Sequence, residues 1–441
     1  MRCRYNLSNG IKMDEIEPEQ QLQEVDQMLP HEPTAIAAEA PVGRLPHSLR
    51  AFRHRNYRLF FFGQIVSLTG TWLQQVALSW LVYDITNSRF LLGLVGFVGS
   101  FPIMVLSLPA GVIADRFSKR NIIVLTQSSA MILAFALAIL THIGHVTVYQ
   151  VMAINFLLGA VNAPDAPTRH SFVIEMVGRE DLPCAIALNS ATFNGARILG
   201  PAAAGVIIAK IGSAGAFFLN GVSFIAVIIG LLLMRVRPVV HPAQASMIQG
   251  LKEAFAFVRR QSVVLSLLTL TAIVSVFSMS YAVLMPVFAK DILGIGAQGL
   301  GFLMASTGIG ALIGAVVVSS LGYMHKKGSL LLIGNFTFCT MLILFSFSRI
   351  LSVSLVLLVT AGWGMMTNMS LTNTLIQTST PDHLRGRVMS LYTLMFLGMA
   401  PIGSLQAGAI AQWLGAPWAV RIGATVCALA AIVLGPRIAE A

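Results

Sequence analysis

AGVIADRFSKR, residues 110–120, is a charged interruption in a chain that is otherwise mostly apolar. Its last six residues include four charged ones in an acid-then-base order, Asp115, Arg116, Lys119 and Arg120. On each side stands a nearly uncharged run of about twenty residues, which is the length of a helix that crosses a membrane. The stretch is therefore predicted to be a short loop between two membrane-spanning helices.

Further runs of the same kind predict a helical membrane protein. Of the 441 residues, 56% are hydrophobic and only 11% are charged, whereas a soluble domain has about 25% charged residues. The runs are too long for the strands of a membrane barrel, so the predicted fold is an all-α bundle of twelve transmembrane helices. The predicted spans are 59–83, 90–114, 121–141, 146–166, 185–209, 214–234, 263–288, 298–321, 329–347, 352–374, 388–412 and 417–434.

Basic residues are unevenly divided between the loops on the two sides of this bundle. The side that carries residues 110–120 holds twenty of them, and the other side holds only Arg89, Lys210, Lys290 and Arg349. Because cytoplasmic loops are enriched in Lys and Arg, both termini are predicted to be cytoplasmic, in a multi-pass protein of the plasma (inner) membrane. The net charge of +11 is then a topology signal, and no nucleic-acid partner is predicted.

Four regions are predicted along the chain. Residues 1–56 are predicted to be a disordered cytoplasmic tail that is first acidic and then basic, because its acidic part has too little apolar surface to fold. Residues 57–236 form a first six-helix half. Residues 237–261 are a polar, Pro-containing cytoplasmic linker, and residues 262–441 form the second six-helix half.

The two halves repeat each other at a constant separation of 203 residues. Parallel repeats of six helices are typical of transporters, whose substrate site lies between the repeats near the middle of the membrane. The pattern therefore predicts a gene duplication and a central site. The matching residues are Gly159 with Gly362, Leu188 with Leu391, Phe193 with Phe396, Gly195 with Gly398, Gly200 with Gly403, and Gly205 with Gly408.

Residues 111–120 resemble the loop signature of the major facilitator superfamily, usually written G-x-L-a-D-r-x-G-r-k, with Ser118 in place of the second glycine. The resemblance implies a gate that joins the two halves on the cytoplasmic side. Positive-inside loop charge alone explains the three bases of this stretch, but it does not explain the acid. The predicted gate residues are Gly111, Asp115, Arg116, Lys119, Arg120 and Asp165.

The chemistry of these residues is consistent with a gate. Gly111 lets two helices approach closely, and Asp115 can accept hydrogen bonds from the N-terminus of span eleven, where the helix dipole is positive. Lys119 or Arg120 can pair with Asp165 at the cytoplasmic end of span four. These contacts predict a latch on the cytoplasmic side that favours the outward-open state.

Two longer stretches resemble one subgroup of the superfamily, which includes enterobactin exporters and macrolide-efflux proteins of the transmembrane secretion effector type. They are residues 162–205 and the segment TGTWLQQVALSWLVYDIT at residues 69–86. The resemblance implies a secondary active exporter of a small amphipathic molecule, siderophore-like or drug-like, that works by alternating access and as a monomer. Proton antiport is implied as one mode of coupling, and no cofactor is implied.

Two other functions remain open beside export. A lipid or lysolipid flippase has the same fold, and a non-transporting membrane sensor belongs to a different class. An enzyme is not predicted, because no cluster of intramembrane acids or histidines and no Ser–Lys pair stands out. His142 and His145 have no obvious partners for a metal ion, and the absence of a phosphate-binding loop argues against ATP as the energy source.

GARILGPAAAG, residues 195–205, resembles the fifth-span signature of exporters. Small residues allow helices to pack closely in lipid, and a proline inside a helix removes a backbone hydrogen bond and can kink it. Close contact between helices is therefore predicted at Gly195, Gly200, Pro201 and Gly205.

Arg197 lies in the same span, near the predicted midplane of the membrane. A charge there costs about 2.5–3.5 kcal/mol on insertion scales, so something must solvate it. No carboxylate is predicted at this depth, which leaves water, backbone carbonyls, amides, or an anionic group of a substrate. Arg197 is thus predicted either to face a cavity or to hold span five to a neighbouring helix.

Polar side chains inside the predicted spans mark the candidate cavity, because such residues face protein or water rather than lipid. Each of them alone could equally be an interhelical hydrogen bond. The predicted substrate-binding residues, with Arg197, are Gln64, Gln75, Asn155, Asn162, Asn189, Asn194, Trp363, Asn368 and Asn373.

Overall fold

The computed structural model describes residues 47–235, 247–320 and 326–439, without the side chains of 47–48, 107–116 and 247–252. All regular elements in these ranges are helical, which confirms the predicted helical membrane fold. After a short 3-10 helix at His47–Arg53, the first half contains α1 (Arg55–Thr86), α2 (Arg89–Arg116), α3 (Lys119–His142), α4 (Val148–Val177), α5 (182–211) and α6 (213–232). The second half follows α7 (Met247–Arg260) and contains α8 (Ser262–Ile292), α9 (Gly296–Ser320), α10 (Lys327–Phe347), α11 (Leu351–Thr378), α12 (Asp382–Leu414) and α13 (Ala416–Ala439).

Helices α5 and α6 are one continuous helix, Leu182–Leu232, that is broken at a single residue. Gly212 has φ 75° and ψ 175°, a backbone conformation that residues with a side chain rarely adopt. At about 1.5 Å per residue, the 51 residues would span about 76 Å, far more than the 30 Å of a bilayer core. The break at Gly212 therefore divides this helix into two spans.

Ten helices in the described ranges are long and apolar enough to cross a membrane. One of them is Leu182–Leu232, which holds two spans. Val148–Val177 is not among the ten although it has 30 residues, and it carries Asp165, Arg169 and Glu175. Counting the broken helix twice and adding α4 gives the twelve segments predicted from the sequence.

The two membrane faces of the bundle are called proximal and distal below. The proximal face is where α1 begins and where the loop at residues 117–118 lies. The distal face is where α1 ends at Thr86, and it also carries Gly212 and Gly415.

Contact between the two halves is concentrated near the distal face. There α5 packs on α9, where Gly205 lies against the backbone of Gln298. In the same layer α2 packs on α12, where Gly93 lies against Gly408. Because glycines have no side chain, these helix backbones approach each other closely and close the distal side of the bundle.

Part of the segment predicted as a disordered tail is ordered. His47–Arg53 form a 3-10 helix that is held to the start of α5, where Arg53 Nε lies 2.7 Å from a carboxylate oxygen of Asp181. His54 Nε2 lies 2.8 Å from the same oxygen. The basic side chains of this segment form ion pairs with the acids at the start of α5. The acidic stretch predicted to be disordered lies outside the described residues.

Candidate functional site

A cavity of about 340 Å³ lies between α11 and α12. Met366, Met369, Ser370 and Asn373 follow each other at helical spacing and so share one face of α11, and Tyr392 of α12 completes the lining. The volume lies at the lower end of the range for small-molecule sites. Sequence reasoning, which looked for amides and charges, missed the four residues other than Asn373, because methionine is apolar and the serine and tyrosine hydroxyls were not counted as signals.

Arg197 of α5 lies where the two halves meet. Its guanidinium nitrogen Nη2 is 3.8 Å from the sulfur of Met365 on α11, the residue that precedes Met366 of the cavity. Its carbon Cζ lies 5.8 Å from the centre of the Trp72 ring on α1. Within the described residues no carboxylate lies within 4 Å of Arg197, and its contacts are a thioether and an aromatic ring, with the phenol of Tyr281 on α8 as a further electrostatic neighbour.

A second charged group lies deeper in the first half. Asp165 of α4 is only 8% exposed, and it forms an ion pair with Arg169 one turn later in the same helix. Its Oδ1 accepts hydrogen bonds from Thr126 Oγ1 at 2.7 Å and from Gln127 Nε2 at 3.1 Å, both on α3. The guanidinium of Arg169 also donates to Oε1 of Gln64 on α1. This network joins α1, α3 and α4.

The predicted pairing of Asp165 with a base of the loop is wrong for this structure. Lys119 Nζ lies 2.6 Å from a carboxylate oxygen of Glu175, and Arg120 donates to the backbone carbonyl of Leu231 at 2.7 Å. Asp165 lies beside Thr126, seven residues into α3 and thus about 10 Å from Lys119 along the helix axis.

The reason for this error is the length of α4. The span was predicted to end at residue 166, which put Asp165 at a helix end, but α4 continues to Val177. Arg169 was accordingly counted as a loop base. The four-residue spacing of Asp165 and Arg169, which places both on one helix face, was the signal that could have revealed the pair.

The other gate residues are only partly described. Gly111, Asp115 and Arg116 belong to the last turns of α2, but the side chains of these positions lie outside the described residues. The proposed role of Asp115 at the start of α12 therefore stays a prediction.

The remaining predicted residues of the first half are spread over several surroundings. Gln75 and Asn162 are exposed, whereas Asn155 donates to the carbonyl of Val95 at 2.9 Å and so joins α4 to α2. Asn189 accepts from the hydroxyl of Tyr57 at 3.2 Å, and Asn194 donates to the carbonyl one turn earlier in its own helix. Asn155 and Asn189 thus make interhelical contacts.

In the second half, Asn373 is the one predicted residue that lines the described cavity. It also accepts a hydrogen bond of 2.6 Å from Gln377. Asn368 is buried and donates to Asn335 at 3.3 Å. The backbone of Trp363 lies against glycines of α9. The structure therefore brings Asn373 to the cavity and gives Asn368 and Trp363 places in helix contacts.

The fifth-span signature divides into contact and open positions. Gly200 lies against Trp72 of α1, and the carbonyl of Pro201 lies against Gly301 of α9. Gly205 lies against the first turn of α9. Gly195 differs from the prediction, because nothing lies within 4 Å of where its side chain would begin. Contact of this span with the second half thus begins at Arg197 and Ile198, which lie against Gly308 of α9, and Gly195 lies outside it.

The family model and the similar proteins of known function agree on one type of membrane transporter. The family model described as "Transmembrane secretion effector" matches residues 47–439. The chain is 25% identical to the staphyloferrin A transporter of Staphylococcus aureus, covering 79% of this chain and 87% of that one. It is 25% identical to the multidrug efflux pump Tap of Mycolicibacterium fortuitum, with 81% and 89% covered. It is 23% identical to the enterobactin exporter EntS of Salmonella choleraesuis, with 87% and 91% covered.

Solved structures share the fold at low sequence identity. A peptide transporter POT in complex with alafosfalin superposes with a TM-score of 0.70 at 13% identity, over 90% of this chain and 99% of that one. A nucleoside transporter, NupG, superposes with a TM-score of 0.67 at 13% identity, over 89% and 99%.

Proposed function

The chain belongs to the transmembrane secretion effector family of the major facilitator superfamily, and on this premise we propose that it exports a small amphipathic anion by alternating access. It is a multi-pass membrane transporter of small molecules and not an enzyme. Siderophore-like and drug-like molecules are the proposed substrate classes. The names of the relatives, a siderophore transporter, a siderophore exporter and a drug efflux pump, support this range.

The observation that carries the proposal is the environment of Arg197. A guanidinium in a membrane protein needs a counter-charge or water, and the contacts described for Arg197 are the Met365 sulfur and the Trp72 ring. An anionic group of a substrate would supply the missing charge. The planar guanidinium can bind a carboxylate or a pair of catechol oxygens through two parallel hydrogen bonds.

The cavity between α11 and α12 suits the apolar part of such a substrate. Met366 and Met369 have flexible, polarizable side chains that adapt to ligands of different shape. Ser370, Asn373 and Tyr392 add a few hydrogen-bonding groups on the same wall. An apolar, adaptable wall on α11, together with a cation that contacts the same helix at Met365, favours amphipathic anions over uniformly polar molecules.

Export is the proposed direction because two of the relatives are named as an exporter and an efflux pump. The excess of bases on the proximal face supports a cytoplasmic location for that face and for both termini. The halves are closed on each other at the distal face, so in this state the substrate enters the cavity from the cytoplasm. The protein is proposed to work in the inner membrane as a monomer, with the loop around Asp115 closing the cytoplasmic side later in the cycle.

Protons are the proposed coupling ion, and Asp165 is the proposed carrier. Its carboxylate is shared between Arg169, Thr126 and Gln127, so that a proton on Asp165 frees Arg169 from its ion pair. Arg169 also holds Gln64 of α1. Protonation thus changes a contact between α1 and α4, which gives the proton a route to affect the helices that line the first half.

Transport into proteoliposomes tests the proposal. Inverted vesicles are supplied with three probes, a catecholate siderophore, a cationic dye and a fluorescent lysophospholipid, each with and without a pH gradient. We expect gradient-dependent accumulation of the siderophore, and weaker accumulation with Arg197→Gln. Arg421→Gln is the matched control. Arg421 lies in α13, is partly buried, and stacks on the ring of Phe347 at the end of α10.

Three other outcomes would each contradict one part of the proposal. Accumulation of the cationic dye alone would contradict an anionic substrate. Movement of the lysophospholipid alone would favour the flippase. Accumulation of the siderophore that ignores the pH gradient would remove the proton from the mechanism while leaving export intact.

A further inference from the structure

We propose that Asp84, Arg89, Lys290 and Asp291 form a reversible ionic clasp between the two halves, which closes the distal face and opens in each transport cycle. The four residues lie at the ends of α1 and α8 and at the start of α2. This inference depends on the two-half architecture and not on the identity of the substrate. Its test therefore measures a conformation rather than transport.

Each ion pair of the clasp joins an acid of one half to a base of the other. Asp84 of the first half pairs with Lys290 of the second, where Nζ lies 2.8 Å from Oδ1. Asp291 of the second half pairs with Arg89 of the first, where Nη2 lies 3.6 Å from Oδ2. Each half thus contributes one acid and one base, and both pairs cross the interface.

Two uncharged side chains support these pairs. The hydroxyl of Tyr83 donates to Oδ2 of Asp291, and Lys290 donates to Oδ1 of Asn87 at 3.1 Å. Asn87 ends α1 with φ 48° and ψ 20°, a left-handed conformation that asparagine tolerates better than most residues. The turn after α1 is therefore shaped so that Asn87 and Asp84 both reach Lys290.

The helix ends next to the clasp also cap each other across the interface. Oε1 of Gln412, near the end of α12, accepts from the backbone N–H groups of Arg89 and Phe90 at 3.2 and 3.3 Å. In return, Arg89 donates to the carbonyl of Ala411 at 3.4 Å. The first turn of α2 and the last turn of α12 leave such groups without partners inside their own helices. Each half thus satisfies backbone groups of the other.

The composition of the distal face supports a dedicated role. Among the acids outside the N-terminal tail, only Asp84 and Asp291 fall on loops or helix ends of that face, and both belong to the clasp. The same face has four bases, and two of them, Arg89 and Lys290, belong to it as well. Random placement of so few charges would not pair all of the acids across one interface.

Ion pairs near the proximal face follow a different pattern. Within the residues whose side chains are described, each of them joins groups of the same half or of α7 and α12. They are Arg53 with Glu180 and Asp181, Lys119 with Glu175, Arg385 with Asp382, and Arg387 with Glu253. In the described part of the chain, the ion pairs that join the two halves therefore lie at the distal face.

The exposure of the clasp makes it reversible. The four side chains are between 30% and 53% exposed, so water can solvate each charge when the halves separate. A pair that is exposed to this degree shifts a two-state equilibrium by no more than about fivefold. The clasp is thus strong enough to favour the closed distal face and weak enough to open without a large barrier.

Distances between spin labels test the clasp. Nitroxides are attached at His145→Cys and Arg349→Cys, two exposed positions on the distal face of opposite halves, in protein reconstituted into lipid nanodiscs. Cys3 and Cys184 are changed to Ser in all samples, and the buried Cys339 and Cys427 are kept. Lys290→Asp should then increase the long-distance, distal-open fraction, because Asp84 meets a like charge. Lys210→Asp, the same charge change at an exposed residue of the same face, is the matched control.

The double variant in which the two charges are swapped is the decisive sample. Asp84→Lys combined with Lys290→Asp should return the distance distribution toward that of the parent, because the attraction is restored with reversed polarity. Unchanged distances in Lys290→Asp would overturn the clasp. So would a double variant that opens as much as the sum of the single variants, or an equal shift in Lys210→Asp.

Discussion

Asp165 and Arg169 form an ion pair one turn apart in α4, and Arg169 extends that pair to Gln64 of α1. The ion pair and the hydrogen bonds together compensate for the burial of this carboxylate. Three polar groups of two other helices complete its surroundings. Under the proposal that Asp165 carries the coupling proton, protonation of this one side chain would change contacts between helices of the first half.

Removing the charge of Asp165 should uncouple transport from the proton gradient. Asp165→Asn leaves Arg169 without its counter-ion, which lowers the free energy of unfolding by about 1–3 kcal/mol. We expect substrate accumulation to lose its response to an imposed pH gradient, while substrate binding persists. Glu175→Gln is the matched control, since Glu175 is a similarly buried acid of α4 that pairs with Lys119. A pH response that survives in Asp165→Asn would exclude this residue as the proton carrier.

Arg197 should discriminate between substrates by their charge. Arg197→Gln is expected to raise the apparent KM of an anionic substrate by about tenfold or more, because a hydrogen bond to a charged group contributes about 1.5–3 kcal/mol. Arg197→Lys should restore only part of the affinity, because an ammonium group cannot form two parallel hydrogen bonds. The measurements are initial rates for an anionic and a neutral substrate, together with melting temperatures. Equal losses for both substrates, with a lower melting temperature, would show that Arg197 is structural.

Two glycines of one signature should respond in opposite ways. A side-chain carbon added at Gly205 would lie 2.8 Å from the carbonyl oxygen of Gln298, so Gly205→Ala should push α5 away from α9 and weaken distal closure. Gly195 faces open space, so Gly195→Ala should stabilise the helix by about 0.5–1 kcal/mol and leave transport intact. Thermal melting and transport rates of both variants check this. Similar behaviour of the two would contradict the described contact.

Asp115 should matter for turnover and not for insertion. If it accepts hydrogen bonds from the start of α12, Asp115→Asn weakens the cytoplasmic gate, because a neutral amide interacts less with the positive end of a helix dipole. We expect normal expression and a lower transport rate. Full transport activity in a well-expressed variant would remove Asp115 from the mechanism.

Topology is testable without a substrate. Reporter fusions after residues 240 and 441 should both be cytoplasmic, because twenty of the twenty-four loop and flanking bases lie on that side. Activity of a periplasmic reporter at either position would contradict the predicted orientation. The expected result also assigns the proximal face of the structure to the cytoplasm.

The helical bundle and the approximate positions of its spans could be predicted from the sequence, although the end of span four was placed eleven residues too early. A helix in lipid satisfies its backbone hydrogen bonds internally, so about twenty apolar residues in succession are enough to define a span. Local signals also predicted the family, through the loop at residues 111–120 and the glycines of span five. These features depend on residues that are neighbours in the chain, so they can be predicted without a structure.

Partners between distant helices were decided by the tertiary structure. The sequence placed Asp165 at a helix end, and the fold buries it against Thr126 and Gln127 of another helix. The signature treated Gly195 and Gly205 alike, and only the approach of α9 distinguishes them.

The distal clasp was likewise decided by the tertiary structure. Its acids and bases come from loops about 200 residues apart, and each looks like an ordinary loop charge on its own. Hydropathy records how a segment meets lipid, whereas ion pairs, cavities and close contacts depend on which helix faces are turned toward each other. That choice is made by the packing of all the helices together, because lipid solvates every apolar helix face almost equally well.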